Sequence, residues 1–173
     1  GPARAAGDTV AFVQIRNDDV TLNLTEDGDP SAPPLLLLHG ITSFGGTWEW
    51  FVPELAERFR VLRLDFRGHG ASDRAPDAYG SPGYVSDVIA ACEQVIGQPC
   101  IVMGHSLGGV TAAIVMQQRP DLIRAAILEE GLRLANAGDD GEAPEIHHIR
   151  DMANLLARIA AVDPDVIIID LEN

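Results

Sequence analysis

The sequence contains no lysine, so all 12 of its basic side chains are arginines. Acidic residues outnumber them, and the formal net charge of the 173-residue chain is −14 at pH 7. A surface of this sign repels the phosphate backbone of nucleic acids and the anionic headgroups of membranes. We therefore expect neither nucleic acid nor a membrane among the partners of this protein.

Long hydrophobic runs and cysteines are also scarce. No apolar stretch approaches the ~20 residues that a helix needs to cross a bilayer. The first nine residues lack the basic and then apolar order of a secretory signal, so we expect a cytoplasmic protein. Cys92 and Cys100 are the only cysteines. We expect them to be small buried thiols and not a disulfide framework.

Four short apolar runs, each followed by turn residues, predict strands. They are residues 34–40, 60–68, 100–104 and 125–131. The first and third are almost continuously apolar, which is typical of strands that are buried on both faces. Upstream, residues 12–16 and 20–24 alternate between apolar and polar side chains, as an exposed antiparallel edge pair does.

Helical periodicity separates these runs. Apolar residues recur at helical spacing over residues 48–59 and 85–96, and a third helix is predicted over 107–118, before Arg119-Pro120. Because strands and helices alternate, the sequence predicts the α/β class. We expect a mostly parallel, doubly wound sheet with flanking helices on both faces.

The segment Gly104-His105-Ser106-Leu107-Gly108 fits the pattern G-x-S-x-G between a predicted strand and a predicted helix. In that context the pattern indicates a nucleophile elbow, a strained turn that lifts the serine hydroxyl above the sheet. Strand and helix approach closely only if the residues two before and two after the serine are small, and both are glycines. We therefore predict that Ser106 is a catalytic nucleophile and not an incidental serine in a glycine-rich turn.

A second motif predicts where the oxyanion of such a reaction is held. The apolar run that begins at residue 34 ends at His39-Gly40, and a strand end of this kind supplies one oxyanion donor. We expect the two donors to be the backbone N–H groups of Ile41 and Leu107. A structural hydrogen-bonding role is favoured for His39 over a role as base, because His39 belongs to this loop.

With these motifs the chain resembles the α/β-hydrolase superfamily, in its serine-nucleophile, lid-containing type. The resembling segments are HGITSFGGTW (39–48), DFRGHGASD (65–73), GHSLGG (104–109) and RPDLIRAAILEE (119–130). The resemblance implies that residues 1–131 are the N-terminal part of the hydrolase core and residues 132–173 the start of the lid. It implies that the C-terminal strands of the core are missing from this chain. It also implies a structural role for the loop around Arg67 and His69.

Two departures separate the chain from other branches of this superfamily. After His39-Gly40, Ile41-Thr42 replaces the x-Pro of the His-Gly-x-Pro motif that is typical of epoxide hydrolases. Ser106 stands where those enzymes and the haloalkane dehalogenases carry an aspartate nucleophile. Both differences weigh against these two chemistries.

The base that would serve Ser106 is not evident in the sequence. A serine hydroxyl is a weak nucleophile unless a histidine removes its proton and a carboxylate orients that histidine. In this fold the chain order is serine, acid, histidine. The only histidines after Ser106 are His147 and His148, which we expect to be a partly exposed pair on a lid helix. Adjacent helical residues point ~100° apart and do not chelate a metal, so no metal site is predicted.

The acid has three candidates. Asp163-Pro164 resembles the start of a helix, and we prefer a lid helix over residues 163–173. The β-branched residues 166–169 instead favour a strand, which places Asp170 at the acid position. Glu129 and Glu130, at the end of the strand before the lid, are used as the acid site in some relatives. If none of these residues is the acid, the acid is absent from this chain.

An incomplete sheet implies a partner. A sheet that ended at the start of the lid would expose a long edge of the buried type, which folded proteins avoid. We therefore expect a second polypeptide, or a C-terminal fragment, to complete the sheet and bring the base histidine.

The sequence thus predicts a serine hydrolase that cleaves an ester, thioester or lactone of a small organic acyl compound through an acyl-enzyme. Phe44 and Trp48, with the lid, are predicted to contact the acyl group. No metal or organic cofactor is implied. Carbon–carbon bond hydrolysis and cofactor-free peroxidase chemistry remain alternatives on the same site, as does a ligand-binding relative without turnover.

Overall fold

The computed structural model describes residues 10–129 and 167–168, and a seven-stranded sheet runs through them. The strands are β1 (Ala11–Asn17), β2 (Val20–Asp27), β3 (Pro34–Leu38), β4 (Arg60–Leu64), β5 (Cys100–His105), β6 (Ile123–Glu129) and β7 (Ile167–Ile168). Their order across the sheet is β1-β2-β4-β3-β5-β6-β7. The β1–β2 and β2–β4 pairs are antiparallel and the others are parallel, which confirms the predicted mostly parallel α/β sheet.

Helical elements cover both faces of this sheet. They are α1 (Val52–Leu55), α2 (Ser81–Ala91) and α3 (Leu107–Gln118), with a 3₁₀ turn at Gly45–Trp48 and a π-helical turn at Cys92–Ile96. Alternate leucines of β3 point to opposite faces, as the pleat of a strand requires. Leu36 and Leu38 pack in the cluster that contains the apolar side of α2 and α3. Leu35 and Leu37 pack with α1.

The single helix predicted over residues 48–59 is wrong. The burial that its apolar residues predict is confirmed. Only α1 is α-helical in this segment, and a 3₁₀ turn precedes it. Pro53 lies in the first turn of α1, where its missing N–H is tolerated, but it cannot continue a helix that comes from Trp48. Trp48 and Phe59 are nevertheless buried on the same side of the sheet.

The preferred lid helix over residues 163–173 is also wrong where the structure describes it. Ile167 and Ile168 form β7, which pairs in parallel with Ile127 and Leu128 of β6. Two residues of the segment 132–173 therefore belong to the core sheet and not to a lid. The β-branched composition of this stretch agrees with a strand. The other residues assigned to the lid, including His147 and His148, lie outside the described residues, as does Glu130 before the lid.

The structure also describes the two cysteines and the lengths of the helices. Cys92 and Cys100 are buried and free, as predicted. The neighbouring Cys92 thiol and burial together raise the pKa of Cys100. Among the described residues, no helix is long and apolar enough to cross a membrane.

The strand order fixes where a site can form. The chain passes from β3 to β4 on one side of β3 and then returns to place β5 on its other side. At such a switch point the loops after the two central strands diverge and leave a crevice at their carboxyl ends. The loops that follow β3 and β5 carry the two predicted oxyanion donors and Ser106.

Candidate active site

Ser106 lies between β5 and α3 in a strained backbone conformation. Its φ is 51° and its ψ is −110°, a combination that L-residues rarely adopt and that costs on the order of 1–3 kcal/mol. Ser106 is the N-cap of α3, yet its side chain makes no capping hydrogen bond. A serine at an N-cap normally uses its hydroxyl to bind the first turn of the helix. The helix therefore does not use the hydroxyl of Ser106, and a strained serine between a strand and a helix is typical of a nucleophile elbow.

Glycines allow the close approach that this turn requires. A Cβ added at Gly104 would overlap the carbonyl group of Gly108 and lie 2.6 Å from the amide nitrogen of Gly109. A Cβ added at Gly108 would overlap the carbonyl oxygen of Leu38, at the end of β3. Both contacts involve backbone atoms, which cannot move aside. The predicted requirement for small residues on both sides of Ser106 thus follows from the packing of strand against helix.

The loop after β3 reaches the elbow. A Cβ added at Gly40 would lie 3.7 Å from the Cβ of Ser106 and 3.0 Å from Nδ1 of His105. The next residue along the loop is Ile41, whose N–H is one predicted oxyanion donor. Leu107, which carries the other predicted donor, is the first residue of α3, and N–H groups in the first turn of a helix have no partner inside the helix.

Two hydrogen bonds orient the peptide group that contains the Ile41 N–H. The carbonyl oxygen of Gly40 accepts the N–H of Ser43 at 3.1 Å and the Nδ1–H of His39 at 2.7 Å. The peptide bond is trans, so its C=O and N–H point in opposite directions. Holding the Gly40 carbonyl therefore directs the Ile41 N–H away from it.

His39 is a structural residue in this arrangement, as favoured from its place in the loop. It is fully buried, and its Nε2 accepts the N–H of Phe66 at 3.1 Å. Because Nε2 accepts, the single proton of the neutral ring is assigned to Nδ1, which donates to Gly40. Burial lowers the pKa of His39, which favours this neutral form. Both ring nitrogens are occupied, so His39 does not serve as the base for Ser106.

The loop after β4 contributes residues to which the sequence assigned no specific contacts. The carboxylate of Asp65 accepts backbone N–H groups of Gly45 at 2.7 Å and Ala71 at 3.0 Å, and thus ties this loop to the one after β3. Nε2 of His69 lies 2.7 Å from the carbonyl oxygen of Ile41, the shorter of the two carbonyl contacts of the ring, so the proton is assigned to Nε2, which donates to Ile41. The motif DFRGHG was recognisable in the sequence, but the contacts of its side chains depend on the fold.

The side chains predicted to contact the acyl group lie in different environments. Phe44 is 52% exposed, whereas Trp48 is 4% exposed and packs in the core under β3. The indole Nε1 of Trp48 has no hydrogen-bond partner among the described residues. Contact of either residue with a substrate stays a prediction.

One open cavity in the described part of the chain is not lined by Ser106. It has a volume of about 490 Å³ and lies between α2 and α3, where Val85, Ile89 and Ile114 line it. Residues 10–129 and 167–168 contain no cluster of side chains that could hold a metal ion.

The candidates for the acid lie at or beyond the end of the described core. Glu129 ends β6 and pairs in register with His105 of β5. Because β7 is parallel to β6, its carboxyl end lies at the same edge of the sheet as Ser106. Asp170 follows β7 by two positions in the sequence, and Asp170 and Glu130 themselves lie outside the described residues.

Comparison with known proteins places these features in a family. Residues 33–160 match the alpha/beta hydrolase fold family. A 2-(acetamidomethylene)succinate hydrolase of Mesorhizobium japonicum is 34% identical over 118 residues, which cover 67% of this chain and 42% of that protein. Epoxide hydrolase 4 of Mus musculus is 28% identical over 123 residues, which cover 69% of this chain and 34% of that protein.

Solved structures agree with this match. The crystal structure of an E-2-(acetamidomethylene)succinate hydrolase superposes with a TM-score of 0.66 at 30% identity, and the superposition covers 71% of this chain and 45% of that one. The chain therefore spans less than half the length of the relatives that it matches.

Proposed function

Because this chain belongs to the α/β-hydrolase family, we propose that it carries the nucleophile of a serine hydrolase acting on an ester, thioester or lactone. The observation that supports this most strongly is the backbone of Ser106, held at φ 51° and ψ −110° with no capping bond from its side chain. A strained serine whose hydroxyl does not serve the helix is free for chemistry.

The relatives include hydrolases of different kinds, so the chemistry is inferred from the type of nucleophile. A serine hydroxyl attacks an acyl carbonyl and forms an acyl-enzyme. That reaction develops negative charge on the carbonyl oxygen, which needs two nearby donors. The Ile41 N–H lies in the loop that reaches Ser106, and the Leu107 N–H lies at the start of α3, directly after Ser106. This arrangement supports acyl transfer over epoxide opening.

In the proposed mechanism the base accepts the proton of Ser106 as Oγ bonds to the carbonyl carbon. The tetrahedral intermediate then breaks its bond to the leaving oxygen or sulfur, which takes the proton from the base. Water repeats the sequence on the acyl-enzyme and releases the acid. We assign the base to a histidine outside the described residues, brought by a polypeptide that completes the sheet or by the undescribed part of this chain.

We assign the acid that orients this histidine to Asp170, because β7 brings the chain to the carboxyl edge two residues earlier. Asp170→Asn is expected to lower kcat by up to ~10⁴-fold, as loss of a triad carboxylate does. Glu130→Gln, the matched change at the rival position, is expected to leave kcat within about twofold. The reverse result would move the acid to Glu130.

Fluorophosphonate labelling tests the proposal directly. The protein is purified with everything that accompanies it, and intact mass identifies any polypeptide that completes the site. A fluorophosphonate should add one equivalent at Ser106, and short p-nitrophenyl esters should turn over. Ser106→Ala should abolish both, whereas the control Ser81→Ala should change neither. If Ser106 stays unlabelled in the complete protein, the chain is part of a ligand-binding relative without turnover.

A further inference from the structure

The loop that carries the Ile41 N–H is not held by side-chain burial. Ile41 is 55% exposed and Phe44 is 52% exposed, so the apolar side chains of this loop contribute little to its position. Hydrogen bonds to its backbone must therefore fix it. His39 and Ser43 hold the peptide group on the N-terminal side of Ile41, through the Gly40 carbonyl.

His69 holds the peptide group on the other side of Ile41. Its Nε2 lies 2.7 Å from the Ile41 carbonyl oxygen, across 28 positions of sequence. Its Nδ1 lies 2.9 Å from the carbonyl oxygen of Arg67. The ring thus spans two loops that follow neighbouring strands, β3 and β4.

The loop that carries His69 is held in place by several hydrogen bonds. The guanidinium of Arg67 donates to the buried carboxylate of Asp87 on α2 at 2.7 Å, and the backbone N–H of Arg67 donates to the same carboxylate at 3.1 Å. The backbone N–H of His69 donates to the carbonyl oxygen of Phe66 at 2.9 Å. The carbonyl oxygen of His69 accepts the backbone N–H of Ser72 at 3.0 Å. A bond from His69 to Ile41 therefore positions the exposed loop relative to a rigid one, and not the reverse.

We propose that His69 is a positioning residue for the oxyanion hole, an inference that rests on the proposed function. With the peptide groups on both sides of Ile41 held, the two backbone dihedrals of Ile41 are set, and so is the direction of its N–H. Donors that are oriented before the reaction stabilise the oxyanion without reorganisation. His69 touches neither the nucleophile nor the substrate in this role.

Two amide substitutions separate the contacts of His69. In His69→Gln the amide nitrogen can occupy the place of Nε2 and keep the bond to Ile41. In His69→Asn it can reach only the place of Nδ1, near Arg67. We expect His69→Asn and His69→Ala to lower kcat about 10- to 100-fold, the scale of a misplaced catalytic group. KM should stay within about twofold, and His69→Gln should recover most of kcat.

A purely structural role would give a different pattern. Equal losses in His69→Gln and His69→Asn, full activity in His69→Ala, or a change confined to KM would each overturn the proposal. Circular dichroism and the thermal midpoint of each variant show whether it has folded. The rate of fluorophosphonate labelling of Ser106 should follow kcat, because phosphonylation uses the same oxyanion donors.

A measurement on the unsubstituted chain separates this proposal from the proposed function. In labelled protein, NMR should detect a coupling through the hydrogen bond between the His69 Nε2–H and the Ile41 carbonyl carbon. Absence of that coupling overturns the positioning role even if Ser106 reacts. If the coupling is present but Ser106 in the complete protein does not react, the proposed function fails, and the role in an oxyanion hole fails with it.

Discussion

At the scale of single residues, two backbone features define the site. Ser106 is strained, and its strain is maintained by close contacts of Gly104 and Gly108 with backbone atoms. Ile41 is exposed, yet the peptide groups on both sides of it are held by histidine rings. The proposed nucleophile and its proposed oxyanion donor are thus positioned by neighbouring backbone and side-chain groups and not by their own side chains.

Acid should weaken the folded state through His39. Burial lowers the pKa of this ring below its ordinary value of 6.5, so the unfolded chain binds the proton more readily than the folded chain does. The free energy of unfolding should therefore rise with pH between the lowered pKa of the folded state and about 6.5, and this contribution is lost as pH falls through that window. Urea unfolding of the chain between pH 5 and pH 7.5 measures it.

The matched variant for this measurement is His39→Asn. Its amide can still donate to the Gly40 carbonyl, but the buried N–H of Phe66 loses its acceptor, which costs about 1–3 kcal/mol at neutral pH. Asparagine does not titrate, so the slope of stability against pH should be shallower than in the parent chain. Identical slopes in the two proteins would show that His39 is not the group that responds to acid.

At the scale of secondary structure elements, the loop after β4 depends on one buried ion pair. Arg67 and Asp87 have side chains that are 8% and 0% exposed, and Asn17 of β1 also donates to Asp87 at 3.0 Å. The carboxylate of Asp87 raises the pKa of Arg67, so the guanidinium stays charged. Removal of one partner from a buried pair leaves the other charge uncompensated.

Asp87→Asn should therefore destabilise the chain by about 3–5 kcal/mol, the usual cost of breaking a buried pair. Glu93→Gln offers a control in an exposed pair, since Glu93 and Arg119 lie 2.7 Å apart with side chains 50% and 34% exposed. Its urea midpoint should stay unchanged within error, because surface pairs contribute little. Equal effects of the two changes would contradict the assignment of a buried anchor to Arg67.

The same elements show what the sequence alone can predict. The helix over residues 107–118 was predicted with the bounds that α3 has, because Ser106 and Pro120 mark its ends locally. The segment 48–59 was assigned one helix, since its periodicity describes burial and the break at Pro53 is a backbone effect. At residues 167–168 local signals conflicted, and pairing with β6, which is far away in sequence, decided for a strand.

In the candidate site too, features that are adjacent in the sequence were predictable and contacts between distant residues were not. The elbow and the glycines around Ser106 were predictable because they follow one another in the sequence. The contacts of Asp65 and His69 with the loop after β3 were not, since they join residues 20 and 28 positions apart that only the folded sheet brings together. The motif DFRGHG marked the loop without showing what its side chains bind.

At the scale of the whole chain, the net charge of −14 contributes a negative electrostatic field around the candidate site. An excess of one sign attracts oppositely charged substrates and repels those of the same sign at a distance. Salt screens such interactions, with a Debye length of about 10 Å at 0.1 M ionic strength. The field therefore acts on the rate of encounter and depends on ionic strength.

The effect of this field can be measured in the complete protein with three p-nitrophenyl esters of similar size. Their acyl groups are cationic, neutral and anionic. Raising the salt concentration from about 0.02 M to 0.3 M should lower kcat/KM for the cationic ester and raise it for the anionic one. The neutral ester is the control and should change little. If kcat/KM for the anionic ester falls with salt instead, arginines close to the site outweigh the charge of the molecule. The acyl group that the site selects would then be an acid.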